Sequence, residues 1–167
     1  MFGYGSLIWN PAFHYAEDRM VKVYGYHRAY CLWTPLGRGT PDDPGLMLGL
    51  ERGGSVTGVA FRIEEELVRE ELMIIFRREL LSGAYLARWT NAHSDKGMIR
   101  TISFVINPAH PRYAGRLPED TIASTIARAC GKIGSCREYL ENTVAKLDEI
   151  GIPDRNLHHL LEKVRTV

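Results

Sequence analysis

The residue best suited to chemistry is a single carboxylate, Glu79, in a predicted amphipathic helix over about residues 64–81. It shares one helical face with apolar residues only: Val68, Leu72, Ile75 and Phe76. A carboxyl group on an apolar face loses water on folding, which disfavours its charged form and raises its pKa. Such a group can both take and give a proton near neutral pH. Glu70 and Glu71 are predicted to lie off this face.

Two neighbouring arginines offer another interpretation of the same carboxylate. Glu79 follows Arg77 and Arg78 at the end of the predicted helix, where a surface ion pair is common. Helical periodicity alone does not choose between a desolvated acid and a paired one. Both interpretations stay open at this point.

The N-terminal stretch, residues 1–11, is a second candidate. It combines strand-forming residues with two glycines, Gly3 and Gly5. Glycines in such a run mark a bulge or the close approach of another molecule, and a turn here can direct several N–H groups at an oxyanion. An edge strand with a glycine kink is the simpler interpretation, and these residues alone favour it. Ser6 lies outside any Gly-x-Ser-x-Gly pattern, so a nucleophilic serine has no support.

Two polar loops each contain one further candidate. Arg38 stands between glycines in residues 37–45, where a guanidinium could bind a carboxylate in a bidentate way. The composition of that loop favours a surface connection. Tyr113, in residues 107–115, could offer a phenolic hydrogen bond to a ligand. Its expected role is to fill the junction between the last strand and the helices.

Composition limits the class of protein. The chain has 167 residues, 45% of them hydrophobic and 25% charged, which is enough for one domain with a core. Its net charge is +1, so neither nucleic acid nor an anionic membrane is expected as a partner. No apolar run is long enough to span a bilayer, and no signal peptide is recognisable. Three cysteines without metal-ligand spacing predict free thiols, a cytoplasmic location and no metal site, with Cys130 in a helical core stripe.

The elements that would position these residues are strands first and helices afterwards. Strands are predicted over residues 21–33, 46–50, 56–63, 85–89 and 98–106, with residues 52–55 as a hairpin turn. After Pro108 the pattern becomes helical, and Ser135 with Glu138 forms a capping-box signature. This order predicts an α+β fold in one domain over residues 1–167. About six short strands with glycine kinks could curl into a small barrel.

Several motifs, taken together, resemble one enzyme family. They are Phe2-Gly3-Tyr4-Gly5-Ser6-Leu7-Ile8-Trp9-Asn10-Pro11, Arg38-Gly39-Thr40-Pro41 with Pro44-Gly45, Arg77-Arg78-Glu79-Leu80 with Gly83 and Tyr85, Pro108 with His110-Pro111 and Tyr113, and Cys136-Arg137-Glu138-Tyr139-Leu140. In this spacing they resemble the ChaC-type, glutathione-specific γ-glutamylcyclotransferases. The resemblance covers nearly the whole chain.

The resemblance implies a small mixed β-barrel flanked by helices. It also implies cleavage of glutathione to 5-oxoproline and cysteinylglycine, with no metal and no organic cofactor. Glu79 matches the family's catalytic carboxylate. The positions that match its substrate site are Tyr4, Gly5, Ser6, Leu7, Arg38 and Tyr113.

Two alternatives to this function remain open. One is a cyclotransferase of the same fold that acts on other γ-glutamyl amines or amino acids. The other is a non-catalytic barrel that only binds small ligands. Family members usually carry more chain before the first motif, so either the true start lies upstream of Met1 or the first strand is shortened, which could loosen the loop. The sequence does not indicate an oligomeric state.

Overall fold

The computed structural model describes all 167 residues, Met1–Val167. They form two compact units, each assembled from two segments of the chain. The first unit comprises Met1–Ala29 and Gly49–His110, and the second comprises Tyr30–Leu48 and Pro111–Val167. The single domain over residues 1–167 stays a prediction.

The first unit contains a five-stranded sheet and one long helix. Its elements are β1 (Phe2–Gly3), α1 (Ser6–Trp9), β2 (Glu17–Thr34), β3 (Gly45–Arg62), a 3-10 turn (Glu65–Leu67), α2 (Val68–Leu80), β4 (Tyr85–Ser94) and β5 (Gly97–Ile106). The ends of β2 and β3 continue into the second unit. The strand order is β1-β3-β2-β4-β5. Strands β4 and β5 form an antiparallel hairpin, paired from Tyr85 with Ile106 to Ser94 with Gly97.

The α+β class predicted from the sequence is confirmed, but the strands form an open sheet and do not close into a barrel. Strands β1 and β5 stand at opposite ends of the strand order. Strand β1 is only two residues long, and it pairs with β3 through Phe2 opposite Ala60 and Gly3 opposite Val59. A Cβ at Gly58 would collide with the carbonyl oxygen of Gly3, so glycine there permits this close pairing.

The predicted hairpin turn over residues 52–55 is wrong. Strand β3 runs without interruption from Gly45 to Arg62. Gly53 and Gly54 do adopt positive φ angles, of 105° and 67°, but the chain does not reverse there. The Nδ1 atom of His27 on β2 lies 3.1 Å from the carbonyl oxygen of Gly53. Glycine therefore absorbs a local distortion within a long strand.

The second unit is mainly helical. Its helices are α3 (Glu119–Arg128), α4 (Cys136–Glu149) and α5 (Arg155–Thr166), and a short hairpin joins β6 (Cys130–Gly131) to β7 (Gly134–Ser135). The core-facing role predicted for Cys130 is wrong, because α3 ends at Arg128 and Cys130 is exposed on β6. None of the helices in either unit has the length and hydropathy needed to cross a membrane.

The helix start predicted at Ser135 is confirmed, with Ser135 as the N-cap, and gives a stability test. The Ser135 hydroxyl accepts a hydrogen bond from the Glu138 backbone N–H at 3.0 Å. Ser135→Ala should lower the free energy of unfolding by about 1 kcal/mol, because one helix-end donor loses its acceptor. Urea denaturation measures this loss. Ser124→Ala, in the middle of α3, is the control and should cost clearly less; equal losses would contradict the capping role.

Candidate active site

Helix α2 places Glu79 in its last turn, on the face that packs into the first unit. Ile75, one turn earlier, is 1% exposed. The ring of Phe76 meets the ring of Phe104 on β5 edge-on, with centroids 6.1 Å apart. The side chain of Glu79 is 13% exposed. The helical face predicted from the apolar spacing is therefore the packed face, and it carries the carboxyl group out of bulk water.

Glu79 is both desolvated and paired with an arginine, so the two interpretations left open by the sequence are compatible. Burial raises the pKa of the Glu79 carboxyl above its ordinary value of 4.5, and the positive charge of Arg78 lowers it by less. The Nε atom of Arg78 lies 3.4 Å from Glu79 Oε1. The net effect is a raised pKa, so this carboxyl holds a proton at higher pH than an ordinary glutamic acid does. That property suits a group that must accept a proton and return it.

The N-terminal loop is only in part the kinked edge strand predicted from its glycines. Phe2 and Gly3 form strand β1, whereas Ser6 and Leu7 belong to the short helix α1. Within this turn the Ile8 N–H donates to the Gly5 carbonyl at 2.9 Å, and the Asn10 N–H donates to the Ser6 carbonyl at 2.7 Å. These bonds give the loop a defined backbone path.

Tyr4 anchors this loop with both its side chain and its backbone. Its ring is buried, and its hydroxyl donates to the backbone carbonyl of Phe104 at 3.0 Å. Its own carbonyl accepts a hydrogen bond from Arg28 Nε at 2.6 Å. Tyr4 thus fastens the loop to β5 and to β2.

Arg78 links this loop to the helix that carries Glu79. Its Nη1 donates to the backbone carbonyl of Asn10 at 2.6 Å, and its Nη2 donates to the hydroxyl of Ser6 at 2.8 Å. With Nε beside Glu79, the same guanidinium contacts both candidate regions. The sequence identified Arg78 only as a possible partner of Glu79, because contacts across about seventy residues leave no local pattern.

The placement of Glu71 predicted from the sequence is wrong. Glu71 is 4% exposed, and its Oε2 accepts a hydrogen bond from the backbone N–H of His14 at 3.1 Å. It precedes Ile75 by four residues and Glu79 by eight, so it shares their helical face. These distances of four and eight residues are visible in the sequence, so the shared face of Glu71 could have been predicted. Glu70, by contrast, is exposed, as predicted.

The two remaining candidates, Arg38 and Tyr113, lie in the second unit. Arg38 is buried, and its Nη1 donates to the carbonyl of Ser135 at 2.6 Å and to Glu138 Oε2 at 2.9 Å. Its guanidinium carbon also lies 5.4 Å from the ring centroid of Tyr139. Tyr113 pairs with Leu32 in an isolated antiparallel bridge. A role in substrate binding stays a prediction for both residues.

The second unit also holds one buried polar atom that the sequence did not indicate. The hydroxyl of Tyr30 has no hydrogen-bond partner. Burial raises the pKa of Tyr30 well above its ordinary value of 10, and the nearby Tyr139 adds to the rise while Arg38 opposes it. The rings of Tyr30 and Tyr139 lie edge-on, with centroids 6.4 Å apart.

The raised pKa of Glu79 makes the stability of the protein depend on pH. Between the ordinary value of 4.5 and the raised value, the folded state binds more protons at Glu79 than the unfolded state does. The contribution of Glu79 to stability is therefore full below pH 4.5 and is lost as the pH rises through the folded pKa. We expect Glu79→Gln to gain stability relative to the wild type as the pH rises through this window. Urea denaturation at a series of pH values measures the difference.

The exposed Glu70 supplies the control for that measurement. Glu70→Gln should follow the wild type across the same pH range. A Glu79→Gln difference that does not change with pH would contradict the desolvation of this carboxyl.

Comparisons with known proteins agree with this architecture. The family model described as ChaC-like protein matches residues 1–167. The glutathione-specific γ-glutamylcyclotransferase of Escherichia coli is 40% identical over 166 residues, which are 99% of this chain and 72% of that protein. The mouse protein named glutathione-specific γ-glutamylcyclotransferase 1 is 30% identical over 174 residues, covering 100% of this chain and 78% of the relative.

A solved structure shares the fold. The crystal structure of a yeast γ-glutamylcyclotransferase specific to glutathione superposes with a TM-score of 0.91. It covers 99% of this chain and 94% of the yeast chain, at 22% sequence identity. By the family match over its whole length and by its identity to these relatives, the chain belongs to the ChaC-like family.

Proposed function

We propose that this protein is a glutathione-specific γ-glutamylcyclotransferase, which converts glutathione into 5-oxoproline and cysteinylglycine. The observation that carries the proposal is the desolvated carboxyl of Glu79, fixed to the N-terminal loop through Arg78. The names and identities of the relatives support the substrate class.

The reaction needs no nucleophile from the protein. The α-amino nitrogen of the γ-glutamyl group attacks its own γ-carbonyl carbon and closes a five-membered lactam. The amide bond to cysteine then breaks, and the departing nitrogen needs a proton. The attacking nitrogen has a proton to lose, so one group that accepts the first proton and returns it balances the reaction. The protein supplies orientation, hydrogen-bond donors and this proton carrier.

Glu79 is the proton carrier in this proposal. Its carboxyl is shielded from bulk water, so its raised pKa lowers the free-energy cost of holding the proton between the two transfers. Its position in the last turn of α2, on a face fixed by Ile75 and Phe76, limits its movement. A rigid carboxyl can serve both nitrogens only if the substrate is held next to it.

The N-terminal loop is the proposed cradle for the γ-glutamyl group. The N–H groups of Ile8 and Asn10 are engaged within the turn. We therefore assign stabilisation of the developing oxyanion to the backbone N–H groups of Gly5, Ser6 and Leu7. Tyr4 contributes through the anchoring of the loop, because its hydroxyl is bonded to Phe104.

Arg38 and Tyr113, which match substrate-site positions of the family, are proposed to bind substrate as well. Arg38 would meet a carboxylate of the tripeptide, and Tyr113 would offer its phenolic hydroxyl.

We also propose a cytoplasmic location, because Cys31, Cys130 and Cys136 are all free thiols, as is usual in a reducing compartment.

The first test concerns the substrate. Purified protein should release 5-oxoproline from glutathione faster than from γ-glutamyl-alanine, at equal concentrations and with a chelator present, because the proposed steps use no metal. Product quantification by liquid chromatography measures both rates. Faster release from γ-glutamyl-alanine would favour the alternative cyclotransferase, and binding of glutathione without any release would favour a non-catalytic protein.

The second test concerns Glu79. Glu79→Gln keeps the shape of the side chain but cannot accept and return a proton, so kcat should fall by about 10²–10⁴-fold. The melting temperature should not fall, because the substitution also removes a desolvated charge. Initial rates and thermal denaturation on the same preparation check both expectations.

Glu70→Gln is the matched control, since Glu70 lies on the same helix and is exposed. It should keep the wild-type rate. A Glu79→Gln protein that is folded and fully active would refute the assignment of Glu79.

A further inference from the structure

We propose that Arg78 is a positioning residue of this reaction: its guanidinium fixes the N-terminal loop against the last turn of α2 and thereby sets the place of the substrate relative to Glu79. This inference rests on the proposed role of Glu79 in proton transfer. It assigns to Arg78 no contact with the reacting atoms.

The geometry of the guanidinium is the first argument. All three of its nitrogens are engaged, each with a different group: the carbonyl of Asn10, the hydroxyl of Ser6 and the carboxylate of Glu79. A planar guanidinium can hold three acceptors in a fixed arrangement, which the single ammonium of a lysine cannot reproduce. Arg78 thus fixes the distance between the N-terminal loop and the last turn of α2.

The position of the two loop contacts is the second argument. Ser6 is the first residue of α1, and Asn10 immediately follows its last residue, Trp9. Arg78 therefore holds the short helix at both ends. A four-residue helix has little stability of its own, so its orientation depends on such external contacts. The residues proposed to cradle the γ-glutamyl group, Gly5 to Leu7, begin at this clamped end.

The strength of the ion pair is the third argument. The side chains of Arg78 and Glu79 are 28% and 13% exposed, and the closest contact is 3.4 Å. A pair of this length that is open to solvent on one side contributes little to stability. The main consequence of Arg78 is then the placement of the loop and its electrostatic effect on Glu79.

The electrostatic effect has a definite sign. Burial and the charge of Arg78 are the two influences on the pKa of Glu79, and they act in opposite directions. Besides Arg78, the charged group on this helix face is Glu71, two turns before Glu79, whose carboxylate accepts the backbone N–H of His14. The contacts made by Ile75 and by the Phe76–Phe104 pair are apolar. Without the positive charge, the pKa of Glu79 would rise further, and a larger fraction of the enzyme would be protonated at a given pH.

The experiment compares Arg78→Gln, Arg78→Lys and the control Arg77→Gln. Arg77 is exposed and makes none of these contacts. The measurements are kcat and KM for glutathione, and the pH profile of kcat/KM. Arg78→Gln should lower kcat/KM about tenfold or more and move the acid limb of the profile to higher pH. Arg78→Lys should keep the acid limb near that of the wild type, since the charge remains, but should not restore the rate.

Three outcomes would overturn the proposal. The first is Arg78→Gln with wild-type kcat/KM and an unchanged pH profile. The second is full recovery of the rate by Arg78→Lys, which would show that charge alone is needed. The third is loss of folding in both variants, by circular dichroism, which would assign Arg78 a purely structural role.

Glu79→Gln, measured in parallel, separates this proposal from the proposed mechanism. If Glu79→Gln is fully active, the proton-transfer role of Glu79 fails. If Glu79→Gln is inactive and Arg78→Gln behaves like the wild type, only the positioning role of Arg78 fails.

Discussion

The structure of the candidate site depends on keeping one carboxyl group out of water beside a positive charge. Burial favours the protonated form of Glu79, and Arg78 favours the ionised form. If Arg78 gave its whole guanidinium to Glu79 in a bidentate pair, the carboxylate would be held ionised and could not return a proton easily. Because Arg78 directs two of its nitrogens to the loop, the balance stays on the side of burial. The sharing of one guanidinium thus links the pKa of Glu79 to the placement of the N-terminal loop.

A single residue of the sheet supports both halves of this arrangement. Phe104, on β5, is 1% exposed. Its ring packs edge-on against Phe76 of α2, one turn before Glu79, while its backbone carbonyl accepts the hydroxyl of Tyr4 in the loop. A shift of β5 would therefore move the helix and the loop together. The position of Glu79 relative to the N-terminal loop is stabilised in this way even though the sheet is open and β5 ends its strand order.

The features that could be predicted from the sequence are those encoded locally. Apolar spacing was enough to predict the packed face of α2 and to place Glu79 on it. The Ser135–Glu138 pattern was enough to predict the start of α4. The glycines at 53 and 54 predicted a turn, but positive φ within a strand has the same sequence signature as a reversal. The clamp by Arg78 could not be predicted, because its partners Ser6 and Asn10 are 72 and 68 residues away.

Arg38 illustrates the limit of assigning a substrate-binding role from a sequence motif alone. The resemblance places Arg38 at the substrate site, yet its guanidinium is buried and bonded to Ser135 and Glu138. A Cβ at Gly134 would collide with Glu138 Oε2 and lie 3.0 Å from Arg38 Nη1, so glycine in the β6–β7 hairpin leaves room for the Arg38–Glu138 pair. Removing Arg38 would take a buried side chain away and leave the Ser135 carbonyl without this donor, which would loosen that packing. A loss of activity at Arg38 is consequently an argument for substrate binding only when KM rises while the melting temperature is unchanged.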